Sequence, residues 1–356
     1  MPLPLTLLSG PSTSLREQVL RCLLLRRPGL VAVDYGLDPA ANGLLVRTVA
    51  DARGVQHVEQ VEPVGCCLSC TVRSDVPEAV RLVTDAERWA EVVLSPPSPI
   101  RPGDLAEHLS RHGADVDTVT TVVDARLVLA QLTGDDLLAE RGQAAAPTDR
   151  RSTAELVVGQ LEDADVLLVA DLQALDTSSA RTVEALLSHL APIAVQRPLA
   201  PGGIGCEDAV TTGRRGRTTS ADRARLATLA GALCPPACGV TTVVWQSDRP
   251  LHSARLHEVL PDVVADVVRS RGHLWLADRP RHCVRWEQAG GTLAFGDPVR
   301  WQQLPGCELV LTGIDLDPAA LTARLDACLA TDEELADPTW PDPFAGALGP
   351  AEDPVH

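Results

Sequence analysis

Short apolar runs of strand length alternate with windows of helical period through residues 1–200, and few folds accommodate that alternation. Residues 4–9 form an apolar run ending at Gly10, and a helical pattern follows from Ser14 to Arg26. Leu30–Asp34 is a second run. Leu44–Val49 and Gln56–Val61 read as a strand pair about an Arg53-Gly54 turn. Asp75–Trp89 is amphipathic with helical period, and Asp75 is its expected N-cap. Glu91–Leu94, Thr118–Val123 and Val166–Val169 are apolar or β-branched strand runs of the kind that parallel sheets bury on both faces. Thr153–Leu161 and Ser179–Leu190 read as further helices. The pattern predicts a doubly wound α/β domain over 1–200.

Beyond it the composition changes. Residues 201–238 are rich in Pro, Gly, Ser, Thr and Arg and read as a linker holding one helix near 220–232. A small α+β domain is expected over 239–330, with strands at 240–246, 273–277, 283–287 and 307–312 and helices at 253–268 and 318–330. The stretch 331–356 carries seven acids, five prolines and no arginine, and reads as a disordered acidic tail.

Charge removes several functions. The chain contains no lysine, so all 31 basic residues are arginine, set against 48 acids for a net charge of −17. Lysine-dependent chemistry, whether a Schiff base or a phosphate-loop lysine, is therefore excluded. An acidic protein is also a poor match for DNA phosphates or an anionic membrane, so neither is an expected partner. Residues 1–10 lack a leader pattern, and no apolar run approaches the ~18 residues needed to span a bilayer, which predicts a cytoplasmic protein. In that compartment the ten cysteines read as thiols or metal ligands rather than disulfides.

The most informative stretch is Val64-Gly-Cys-Cys-Leu-Ser-Cys-Thr-Val-Arg-Ser-Asp75. Cys67 and Cys70 form a C-x-x-C pair with Cys66 adjacent, a spacing that lets thiolates in a tight turn chelate a soft ion such as Zn²⁺. Cys234 and Cys238 form a second, C-x₃-C pair. Cys206 reads as a lone linker thiol, and Cys22, Cys307 and Cys328 as packed core thiols. His273, His282 and Cys283 flank strands of the second domain, where they offer further ligands across the interface. Asp34 and Asp38 follow the second apolar run as turn formers or metal neighbours, and Arg214, Arg215 and Arg217 read as a solubilising linker cluster.

The cysteine loop resembles that of CobW-like P-loop GTPases and metallochaperones, whose pattern is Gly-Cys-x-Cys-Cys-Thr-Leu-Arg-x-Asp-Leu. Cys67, Cys70, Thr71, Arg73 and Asp75 match it, while Ser69 replaces the middle cysteine and Cys66 the preceding glycine. Val123-Asp-Ala125, Arg269-Ser-Arg-Gly-His-Leu-Trp-Leu-Ala277, the Pro250-Leu-His252 start and the Trp301 region extend the resemblance along the chain. It implies a P-loop NTPase-like doubly wound domain plus a small α+β domain of the CobW C-terminal type.

The nucleotide motifs of that family are eroded here. Its Gly-x-x-Gly-x-Gly-Lys-Thr becomes Gly10-Pro-Ser-Thr-Ser-Leu-Arg-Glu17, leaving Gly10, Ser12, Thr13, Ser14, Arg16 and Glu17 as the phosphate-loop remnant. Arg16 stands for the lysine and Glu17 for the Mg²⁺-binding hydroxyl. Leu94-Ser-Pro-Pro-Ser-Pro99 lacks the acid and glycine of the γ-phosphate switch, and Ala170-Asp-Leu-Gln173 lacks the guanine-reading Asn-Lys-x-Asp. The expectation is a pseudo-GTPase with no catalytic residues, zinc as its metal, and neither GTP nor Mg²⁺ as a cofactor. The resemblance narrows to a degenerate actinobacterial branch similar to mycobacterial proteins that recruit the ribosome hibernation factor. It implies a zinc-linked adaptor with a ribosome-associated or hibernation-factor partner. The competing readings are a GTP-dependent metallochaperone that delivers zinc to a client through Cys67 and Cys70, and a metal sensor that releases a partner.

Overall fold

The computed structural model describes residues 3–38, 44–65, 67–211, 213–216, 218–302, 304–336 and 341–349, without the side chain of Asp38. The first part of the chain runs β1 (Leu5–Ser9), α1 (Thr13–Arg26), β2 (Leu30–Asp38), β3 (Leu44–Asp51), β4 (Gly54–Gln60), α2 (Leu68–Asp85), β5 (Glu91–Ser95) and α3 (Pro102–Arg111). It continues through β6 (Thr118–Asp124), α4 (Ala125–Thr133), α5 (Thr153–Asp163), β7 (Val166–Ala170), α6 (Thr177–Leu190), β8 (Val195–Leu199) and α7 (Ser220–Gly231). These strands make an eight-stranded sheet in the order β4-β3-β2-β5-β1-β6-β7-β8. It is parallel from β2 to β8, with β3 and β4 added as an antiparallel hairpin on one side.

Helices cover both faces because successive side chains of a strand point opposite ways. Leu5 and Leu7 of β1 pack in a core with Val72, Val76, Leu105 and Leu109 of α2 and α3. Leu8 packs on the other face with Val19, Leu20 and Leu23 of α1. Burial on both sides explains the nearly continuous apolar runs of β1, β6 and β7.

The second domain comprises β9 (Val240–Ser247), α8 (Ser253–Val264), β10 (Val267–Trp275), β11 (His282–Ala289), β12 (Thr292–Phe295), β13 (Val299–Arg300), β14 (Cys307–Ile314), α9 (Pro318–Asp326), α10 (Asp332–Ala336) and α11 (Ala345–Leu348). Its sheet is antiparallel, in the order β12-β11-β10-β14-β9, and β13 pairs with β11. Val240, Val268 and Ala289 share a core with Val157, Val158 and Leu161 of α5, so the domains meet through an apolar seam.

Several expectations change. The cysteine helix begins at Leu68 rather than Asp75, which places Asp75 mid-helix, where it accepts from Tyr35 at 2.5 Å and from Arg47 at 2.6 Å. Asp75 therefore ties α2 to β2 and β3 instead of capping a helix. The helix expected to run to 268 ends at Val264, and β10 starts at Val267, six residues before the expected strand.

The 201–238 stretch is folded onto the first domain rather than extended. Cys206 and Ala209 are buried in the core beneath α1, and Arg215 is buried while donating to the Asp163 carbonyl at 2.7 Å. Arg223 of α7 pairs with Asp165 at 2.6 Å. Buried carboxylates demand such cationic partners, which the compositional signal for a linker does not register. Arg217 lies outside the described residues. The tail, expected to be disordered, is ordered over its described parts: Phe344 is buried against Phe295, and Arg279 pairs with Asp342 at 2.5 Å. These contacts, together with the Arg255–Glu334 pair at 2.8 Å, hold it despite its acidic composition.

Candidate functional site

The turn after β1 is where the phosphate-loop remnant sits. Gly10 adopts φ +149°, and a Cβ there would run into the Val122 carbonyl oxygen of β6. Close packing against β6 is thus sufficient reason for this glycine. Ser12 is the N-cap of α1 and its hydroxyl accepts from the Leu15 N–H at 3.3 Å, so one amide of the helix terminus is already satisfied. Thr13 Oγ1 lies 3.3 Å from Ser98 Oγ, and Ser14 Oγ lies 3.1 Å from Ser12 Oγ.

Arg16 does not point outward. It is 2% exposed, and its Nη1 donates to the Gly10 carbonyl at 2.5 Å and to Ser98 Oγ at 2.6 Å. Its guanidinium therefore lies inside the turn, tied to the segment in the switch position. Burial pushes Arg16 down to about 10, opposed by the charges of Asp34 and Glu17. Asp34 is pushed above the usual carboxylate range by burial, with Ser95 and Arg16 pulling the other way. Glu17, at the magnesium position, is on the solvent face of α1, 3.7 Å from Arg21.

The segment in the switch position is similarly closed. Residues 92–100 are buried throughout, and Gln160 donates to the Ser98 carbonyl at 2.8 Å. Asp171, in a left-handed conformation, pairs with Arg126 at 2.8 Å, while Gln173 is exposed.

Cys67 caps α2 and is half-buried; Cys70, one turn on, is exposed. The backbone N–H of Cys70 chiefly holds the Cys67 thiol below its ordinary value, with Ser69 adding to it. Thr71 fixes the turn, accepting from Val64 N–H at 3.0 Å and donating to the Cys67 carbonyl at 3.2 Å. Cys66 lies outside the described residues. Among the described residues, no three His, Cys, Asp or Glu side chains are gathered as a ligand set. Thus Cys67 and Cys70 are two donors on one helical turn, and His273, His282 and Cys283 do not complete a preassembled cluster with them.

Cys234 donates toward the carbonyls of Ser188 and Ala230 at 3.6 Å, and burial raises its thiol, which disfavours the ligand form. Cys238 is exposed at a turn with φ +51°. Cys307 and Cys328 are buried as expected, and Cys206, read as a linker thiol, is buried too.

One connection has no counterpart in the sequence reading. The segment between α4 and α5 touches the nucleotide-site remnant and the cysteine helix alike. Gln143 donates to the Pro11 carbonyl at 3.1 Å, the Ala145 carbonyl accepts from Leu68 N–H at 2.8 Å, and Arg151 donates to the Pro99 carbonyl at 3.1 Å. Only Gln143 and Arg151 distinguish this segment from an ordinary loop in sequence.

A parallel doubly wound sheet with a glycine turn from β1 into α1, followed by a separate antiparallel domain, defines a P-loop NTPase-like fold with an appended C-terminal domain. Residues 240–329 match the model of the cobalamin synthesis protein cobW C-terminal domain. Over 94% of its length the chain is 26% identical to the zinc chaperone Rv0106 of Mycobacterium tuberculosis, covering 90% of that protein. It is 24% identical to zinc-regulated GTPase metalloprotein activator 1 of Dictyostelium discoideum, covering 94% of this chain and 81% of that one. Among solved structures, the Zn(II)-bound YjiA GTPase of E. coli aligns at 14% identity and a TM-score of 0.38, over 93% of this chain and all of that one. The C-terminal domain thus carries the cobW C-terminal match, and over most of its length the chain is similar to a zinc chaperone and a zinc-regulated GTPase activator. No helix among the described residues is long and apolar enough to cross a membrane.

Proposed function

We propose that the protein is a zinc-handling adaptor of the CobW-like family whose nucleotide site has been closed by its own arginine. The observation that carries this reading is the Arg16 guanidinium, buried between the Gly10 carbonyl and Ser98. A phosphate loop works by turning backbone N–H groups and a flexible cation toward an anion. Here the cation is spent on a carbonyl and a hydroxyl of the protein, one amide of the helix terminus is capped by Ser12, and Glu17 faces solvent. These residues do not fit GTP with Mg²⁺.

Zinc handling is supported by the lowered Cys67 thiol beside Cys70 and by the names of the relatives, zinc chaperone and zinc-regulated activator. The cytoplasm, where thiols stay reduced, suits this chemistry. The cargo goes to a protein partner, and the net charge of −17 favours a basic one. A zinc client protein is the broader form of that reading; a ribosome-associated partner, such as a hibernation factor, is its finer form. A GTP-dependent metallochaperone is the second reading, favoured by the Dictyostelium relative, whose name describes a GTPase.

Calorimetry with GTP and ATP, with and without Mg²⁺, together with zinc transfer to an apo acceptor in the absence of nucleotide, tests the reading. Zinc transfer without GTP is the expected result. A saturable, GTP-selective acceleration of transfer would overturn it in favour of the second reading.

A further inference from the structure

A cleft of about 790 Å³ opens between α2 and α3, and Cys70, His108 and His112 stand on its walls. We propose that His108 and His112 form an open zinc seat in this cleft, distinct from the Cys67/Cys70 pair, whose second thiol lines the same cleft.

The spacing is i, i+4, which places both imidazoles on one face of α3 and its C-terminal cap. Their ring centroids are 4.3 Å apart. His108 Nε2 lies 2.7 Å from the Arg73 carbonyl oxygen, and His112 Nδ1 lies 2.8 Å from the His108 carbonyl oxygen. A carbonyl only accepts, so each of these nitrogens must carry its proton. The neutral rings then keep their lone pairs on His108 Nδ1 and His112 Nε2. A backbone carbonyl holding the far N–H is how metal-binding imidazoles are oriented.

Two imidazoles suit a borderline ion such as Zn²⁺. Because the described residues gather no closed set of three ligands here, water, the Cys70 thiolate or an incoming donor must complete the coordination. Such an incomplete shell exchanges its ion readily. Its purpose as a stop in zinc transfer rests on the metal-handling reading above; the binding itself does not.

The test is a titration of the full chain with Co²⁺, read by absorption, and with Zn²⁺ against a competing chelator. In Cys67→Ala/Cys70→Ala protein, one equivalent should remain and show no thiolate-to-cobalt band. Adding His112→Ala should weaken that equivalent on the order of 10-fold or more. His112 is exposed, so this variant keeps the fold, and His108→Gln should act in the same direction. The seat is overturned if the Cys67→Ala/Cys70→Ala protein binds no metal, or if its binding is unchanged by His112→Ala and His108→Gln. A wild-type protein without a thiolate band counts against the Cys67/Cys70 site alone, so the two failures are read apart.

Discussion

Arg269 of β10 donates from Nε to Glu162 of α5 at 2.9 Å, and Arg271, two residues on, reaches the other oxygen of Glu162 at 3.2 Å. Both arginines also grip Glu287 of β11, so the Arg-x-Arg of the C-terminal motif joins its own sheet to the first domain. Ion pairs removed from water are costly to break, because the surviving partner is left buried and uncompensated.

Glu162→Ala should therefore destabilise the protein by about 3–5 kcal/mol, with Glu162→Gln losing less. Urea unfolding followed by tryptophan fluorescence measures it. A loss near zero would mean that the apolar seam alone holds the domains together.

The doubly wound domain was legible from strand runs such as those at Val92–Leu94 and Val166–Val169, because parallel strands buried on both faces leave an unambiguous apolar signature. The C-x-x-C pair was legible as spacing. Arg16 was legible only as a substitution: nothing local reveals that its guanidinium turns inward, since its acceptors are a carbonyl and a serine 82 residues away. Helix α3 went unread, although Pro102 at its first turn and the His108/His112 spacing mark it. The 201–238 stretch misled because its anchors, Arg215 and Arg223, find their carboxylates on another part of the chain.

Those anchors bear on proteolysis. Wild-type protein should resist trypsin at Arg223 of α7, because that side chain is buried and paired. Arg215→Ala removes the donor to the Asp163 carbonyl and should expose neighbouring Arg214 to rapid cleavage, as mass spectrometry of the fragments will show. Cleavage of the wild type after Arg223 at the same rate would contradict the packed arrangement.

Phosphate release from GTP should stay at the buffer level with any divalent metal. Transition-state stabilisation of a transferring phosphoryl group needs a positioned cation and Mg²⁺, and loss of one such group typically costs on the order of 10²–10³ in rate. With Arg16 committed to Gly10 and Ser98, Arg16→Ala should not lower the rate. A GTP-selective turnover abolished by Arg16→Ala would show that the arginine swings out to do the lysine's work.

The last prediction concerns thiol reactivity and its dependence on pH. Alkylation proceeds through the thiolate, so a lowered thiol keeps reacting at pH values where an ordinary one is protonated. Cys67 is lowered chiefly by the Cys70 backbone N–H, whereas burial pushes Cys206 and Cys307 up to about 12 and raises Cys234, Cys283 and Cys328. At pH 7, iodoacetamide should thus label Cys67 well before those five thiols. Its rate should begin to fall only below the usual thiol range of about 8.5. Zinc should protect Cys67, and acidification should reverse the protection, because protons compete with the metal for the thiolate. Peptide mapping after timed labelling follows every site at once. Labelling of Cys234 ahead of Cys67, or protection by zinc at Cys234 and Cys238 alone, would move the metal pair to the second cysteine motif.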